Sequence, residues 1–150
     1  MIKTNELRVG NWVLHHQSPL QIESIWRTGI NATPSQSYGM CEIEPDAEFE
    51  VIEPIRLTPE ILDKCGFEQR PIDTEVCYCL PYKRPLSKEA KHDLVLLDYA
   101  FASEEHKGEY AAAIREHDRD IQFAITMVKY LHQLQNLYFS LTGTDLNYNP

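Results

Sequence analysis

Glu109-Tyr110-Ala111-Ala112-Ala113-Ile114-Arg115-Glu116-His117-Asp118-Arg119-Asp120-Ile121-Gln122-Phe123-Ala124-Ile125 is the stretch that decides the fold. Three consecutive alanines favour helix by propensity. Against that, Ile121, Phe123 and Ile125 alternate with Gln122, Ala124 and Thr126, the period of a strand. On a helix, Phe123 would point away from the other apolar residues. The alternation predicts a hairpin, Glu109 to Glu116 and Asp120 to Ile125, turning at His117-Asp118-Arg119. A single long helix is the competing expectation. With the hairpin in place, the chain reads as an α+β protein built on antiparallel strands.

Working toward the C-terminus, Met127, Tyr130, Leu131, Leu134, Leu137, Tyr138 and Leu141 fall within about 120° of a helical wheel, predicting an amphipathic helix that packs on the sheet. Gly143 suits the left-handed residue that ends it. Working toward the N-terminus, Asp93 to Phe101 and Thr74 to Leu80 read as strands. Thr58-Pro59-Glu60-Ile61-Leu62-Asp63-Lys64-Cys65-Gly66-Phe67 carries both a start and a stop. Thr58 caps the first amides, Pro59 occupies a position that needs no donor, and Gly66 with Phe67 closes the helix. The prediction is a two-turn helix over Pro59 to Cys65. Leu7 to Leu14 reads as a strand bent at Gly10, His15 to Pro19 as a turn, Leu20 to Trp26 as a second strand, and Thr28 to Met40 as loop. The opening pattern resembles the start of small SH3-like barrels, so the expected strands curl in that manner near the N-terminus.

The 150 residues suit one domain, 1–150, with sub-lobes at 1–57 and 58–150. No apolar run approaches the ~18 residues of a membrane helix. The first residues lack the apolar core of a secretory signal, which predicts a cytoplasmic protein with no membrane partner. Cys77-Tyr78-Cys79 is the only close cysteine pair, and it lacks the paired C-x₂₋₄-C spacing of structural zinc. The expectation is two small apolar side chains on the inner face of a strand, with no metal and no cofactor.

The net charge is −9, and it is unevenly spread. Positions 28–55 hold six acidic residues and no Lys or Arg, leaving −3 for the rest of the chain. Within that segment Glu42, Glu44, Asp46, Glu48 and Glu50 alternate with Cys41, Ile43, Ala47, Phe49 and Val51 around Pro45. Extended as one strand, they would set five carboxylates on one face, roughly 6.8 Å apart. The first expectation is a solvated face that protects a sheet edge. The second is a docking surface for a basic protein or peptide. A third, divalent-cation binding, suffers because a straight strand splays its ligands. Basic residues are scattered, which disfavours direct nucleic-acid binding.

Catalytic motifs are absent: no His-Glu-x-x-His, Gly-x-Ser-x-Gly or Gly-rich phosphate loop occurs. His132 lies on the last helix's polar face with Gln133, Gln135 and Asn136, and is expected to position that helix by hydrogen bonding. Phe139 falls outside the apolar stripe. Gln135 and Phe139 therefore either sit under a loop or strand, or form a contact site for a second subunit or another partner.

Tyr130-Leu131-His132-Gln133-Leu134-Gln135-Asn136-Leu137-Tyr138-Phe139-Ser140-Leu141-Thr142-Gly143 resembles the closing block of a family of short bacterial proteins, often carried on prophage-like elements. That family's block runs Tyr-Val-His-Gln-Leu-Gln-Asn-Leu-Tyr-Phe-Ala-Leu-Thr-Gly, so Leu131 and Ser140 are the two departures. The opening Lys3 to Val13 and the central Pro54 to Phe67 are similar to its start and middle. Positions 71–126 carry no family motif. The resemblance implies a strand just before the last helix, and no activity, cofactor or catalytic residue. The prophage-like association also suggests mimicry of nucleic-acid phosphates by the acidic segment. Taken together, these features predict a non-enzymatic interaction module binding protein or peptide. The alternative is an enzyme or metal-dependent protein whose site is dispersed.

Overall fold

A computed structural model of the chain describes residues 2, 4–25, 30–34, 41–42, 52–72, 75–82, 92–98, 106, 108–116 and 121–150. These form two compact units. Positions 1–56, 130–136 and 150 make the first, and positions 57–129 and 137–149 the second. Both are built on antiparallel sheets, as the α+β reading predicts.

The first unit opens with one 3-10 turn, Thr4–Glu6, followed by β1 (Trp12–His15), β2 (Ser18–Ile25), β3 (Ile30–Pro34), β4 (Cys41–Glu42) and β5 (Ile52–Glu53). Their order is β4-β3-β2-β1-β5, so β1 lies between β2 and β5. Gly10, at φ 90, makes the predicted bend, and its N–H donates to the Ile22 carbonyl at 2.8 Å. His16 and Gln17, at φ 48 and 65, form the β1–β2 turn with two left-handed residues. That is the geometry a two-residue hairpin needs to match strand twist. Val13, Leu20, Ile22, Ile30, Ala32 and Ile52 point into one core, joined by Ile2 and Leu7.

One expectation is corrected in this unit. β3 lies inside the predicted loop over Thr28 to Met40: Ile30 and Ala32, both fully buried, alternate with Asn31 and Thr33. Gly29 and Pro34 mask so short a run in the sequence. Most of the acidic segment, positions 43–51, lies outside the described residues. Cys41–Glu42 pairs with β3 and Ile52–Glu53 with β1, at opposite ends of the sheet order. Among the five carboxylates, Glu42 belongs to β4, while Glu44, Asp46, Glu48 and Glu50 lie outside the described residues.

In the second unit α1 (Pro59–Lys64) begins as expected, with Thr58 Oγ1 accepting from the Ile61 N–H at 3.3 Å. It ends with Gly66 at φ 84, where the Phe67 N–H reaches the Leu62 carbonyl and the Gly66 N–H that of Asp63, a Schellman ending. The sheet is a meander, β10-β9-β8-β7-β6, of β6 (Glu68–Ile72), β7 (Glu75–Tyr82), β8 (His92–Asp98), β9 (Tyr110–Glu116) and β10 (Ile121–Val128). The hairpin therefore replaces the long helix. Ala112 and Ala113 are fully buried in a central strand, and that packing overrides their helix propensity. β6 was no part of the sequence reading, because Glu68-Gln69-Arg70-Pro71-Ile72 has no alternation to detect. β7 runs on through Pro81 because its pairing with β6 stops at Cys79, so no ladder bond is lost on that side. Leu94, Val95 and Leu96 are each 0 % exposed, so both faces of the sheet are covered. Cys77 and Cys79 pack with Val95 and Ala113 as the predicted inner-face residues. On the opposite face Tyr78 meets Tyr110 edge-on, centroids 5.9 Å apart.

The last helix, α2, is Leu131–Thr142. Its predicted stripe starts too early: Met127 belongs to β10 and is 43 % exposed. Gly143, at φ 72, ends the helix as expected, its N–H donating to the Phe139 carbonyl. Beyond it Leu146 and Tyr148 are buried, and the Asn149 N–H reaches the Lys64 carbonyl at the end of α1.

Candidate functional site

The bend at positions 6–12 strips several backbone groups of ladder partners, and the first half of α2 supplies replacements. Gln135, 1 % exposed, accepts from the Trp12 N–H at 2.9 Å and donates to the Gly10 carbonyl at 3.3 Å. Asn136 donates to the Glu6 carbonyl at 2.7 Å and accepts from Asn11 Nδ2 at 3.0 Å. Asn11 Oδ1 in turn accepts from the Arg8 N–H at 2.7 Å. Buried polar groups of this kind must be matched, and here each amide is matched to a backbone or amide partner. Gln135 is thus interior; the polar face drawn from the wheel does not present it to a partner.

His132 is also interior, at 1 % exposure, its ring stacked on Tyr130 at a 5.8 Å centroid distance. Among the described residues neither ring nitrogen has a hydrogen-bond partner, so the expected hydrogen bond is not formed there. Nε2 stands 3.7 Å from Glu6 Oε2, beyond hydrogen-bonding range but close enough for the carboxylate to favour the imidazolium. Burial outweighs that attraction and pushes the His132 pKa below its ordinary value. Phe139, in the second half of the helix, is 39 % exposed.

An open surface lies beside α1, in the second unit. Pro59 and Asp63 from the helix, Phe67, Glu68 and Gln69 from the chain entering and forming β6, and Tyr78 from β7 line a groove of about 360 Å³. Phe67 and Tyr78 are buried and form its floor, while Pro59, Asp63, Glu68 and Gln69 are exposed at its rim. The floor is held in place: Gln69 Nε2 donates to the Tyr78 hydroxyl at 3.0 Å, and Tyr78 rests on Tyr110. Glu68 pairs with Arg70 at 2.8 Å, and Arg70 reaches the buried Asp93 at 3.5 Å. Asp63 makes no ion pair among the described residues.

Burial raises the Cys65 thiol to about 12 and the Cys79 thiol to about 11, which keeps both protonated. Among the described residues no three or more His, Cys, Asp or Glu side chains gather where they could hold a metal ion. No helix among them is long and apolar enough to cross a membrane.

The groove residues escaped the sequence reading, where Phe67 serves only to close a helix and Gln69 has no role. The one usable signal was the tight ending of α1, which forces the chain to turn back beside the helix. No family model, curated protein or solved structure matches the chain.

Proposed function

We propose that this protein is a non-enzymatic interaction module that binds an extended, basic segment of a protein or peptide in the groove beside α1. The observation that carries this reading is the groove's make-up: an aromatic floor of Phe67 and Tyr78 under a rim bearing the Asp63 and Glu68 carboxylates. Such a surface takes apolar side chains from one side of a peptide and its Lys or Arg side chains at the rim. The chain's net charge of −9 favours the same partner by steering basic segments toward it.

The test is a fluorescence-anisotropy titration with two labelled peptides, one alternating Lys with Leu and one alternating Glu with Leu. The basic peptide should bind, the acidic one should not, and Asp63→Lys should weaken the basic peptide at least tenfold. Equal binding of both peptides, or binding indifferent to Asp63→Lys, would sink the proposal. A separate variant neutralising Glu42, Glu44, Glu48 and Glu50 asks whether the acidic segment contributes; loss of binding there with Asp63→Lys silent would move the site to that segment.

A further inference from the structure

The oxygens at the rim of the groove beside α1 are short of donors. No Lys, Arg or His lines it, and Pro59 has no N–H to offer. Gln69 Nε2 is spent on the Tyr78 hydroxyl at 3.0 Å, and Gln69 Oε1 accepts from no donor among the described residues. Arg70 Nε and Nη2 both donate to one oxygen of Glu68, Oε2, at 3.3 and 2.8 Å. Among the described residues that leaves Glu68 Oε1 without a donor, and the Asp63 carboxylate likewise.

These oxygens come from two elements. Asp63 stands on α1, whereas Glu68 and Gln69 begin β6, and all three are exposed above the Phe67 and Tyr78 floor. A cation seated there meets acceptors from both elements over an apolar base. An ammonium directs its three N–H groups from a single point and keeps its water tightly. A guanidinium spreads five N–H groups around the edge of a plane, sheds water more readily and tolerates an aromatic or apolar surface against its face. The groove's chemistry matches the second cation better than the first.

We propose that the groove selects arginine over lysine in the extended segment it binds, an inference that rests on the groove being the binding site and adds the identity of the recognised residue. The guanidinium donates to the Asp63 carboxylate from one part of its edge and to Glu68 Oε1 and Gln69 Oε1 from another. Arg70 positions Glu68 by holding its other oxygen, so Oε1 stays open to the ligand. A lysine in the same place reaches one element's acceptors at a time.

Anisotropy titrations of the full chain with alternating Arg–Leu, Lys–Leu and citrulline–Leu peptides test the proposal. The Arg peptide should bind roughly tenfold tighter than the Lys peptide. The citrulline peptide, which keeps the side chain's shape without its charge, should bind weakest. Gln69→Leu should shrink the advantage of Arg over Lys to about twofold or less. Agmatine, a free guanidinium, should not displace the Arg peptide at equal concentration. Equal affinity for Arg and Lys peptides overturns the selection of arginine while leaving the groove a site for basic segments. Binding of neither basic peptide overturns both. An advantage that survives Gln69→Leu, or displacement by agmatine, also overturns the inference. The comparison of peptides on the unaltered chain decides the matter even where Gln69→Leu fails to fold.

Discussion

His132 and Gln135 sit one turn apart on α2, equally buried, yet they are matched very differently. Gln135 has its backbone partners; His132 has no hydrogen-bond partner among the described residues. Replacing Gln135 with Ala removes the acceptor of the Trp12 N–H and one of two side-chain donors to the Gly10 carbonyl, the other being Gln21, so urea unfolding should show a loss of roughly 1–3 kcal/mol. His132 instead makes stability depend on pH. Its folded pKa lies below the unfolded value of about 6.5, so the unfolded chain takes up the proton first. Its contribution is complete above about pH 6.5, falls as the pH drops toward the folded pKa, and levels below it. His132→Phe should flatten that part of the stability–pH curve while keeping the stack on Tyr130. A curve of unchanged slope between pH 7 and 5 would mean that Glu6 holds the imidazolium comfortably inside.

At the scale of elements, legibility followed the strength of local chemistry. α1 was readable to its ends because Thr58, Pro59, Gly66 and Phe67 each act within a few residues of the helix. Its cap should therefore be locally testable: Thr58→Ala should cost about 1 kcal/mol in thermal or urea unfolding. The β9–β10 hairpin was readable from the alternation of Ile121, Phe123 and Ile125, against the pull of three alanines. β3 and β6 were not, because five-residue strands holding proline and polar residues owe their conformation to the neighbours they pair with. The β1–β2 turn falls inside the expected His15 to Pro19 but is shorter, because His15 belongs to β1 and Ser18 and Pro19 to β2; its two left-handed residues are His16 and Gln17, types with no preference for that region. Substituting Asn and Gly at these positions should raise stability by about 1 kcal/mol, since left-handed backbone costs most side chains about that much each. A loss of stability would show that His16 or Gln17 makes a contact worth more than its strain. For the groove, the aromatic floor depends on β6 bringing Gln69 to Tyr78, a pairing no local signal announced.

At the scale of the whole molecule, polar character divides into two uses. The amide-rich start of α2, whose composition suggested a contact surface, is spent internally on the bend at positions 6–12. Beside α1, the Asp63 and Glu68 carboxylates are exposed, Glu68 paired with Arg70, over the buried Phe67 and Tyr78 rings that form the proposed groove floor. An electrostatic contribution at that exposed rim should weaken with salt, because charges there are screened over ~8 Å at physiological ionic strength. The most direct measurement is an amide chemical-shift titration of the isotope-labelled chain with the alternating Lys–Leu peptide. Perturbations should centre on Asp63, Phe67, Glu68, Gln69 and Tyr78 and shrink as salt is added. Perturbations centred on Phe139 and the exposed side of α2, with the α1 groove silent, would contradict the account.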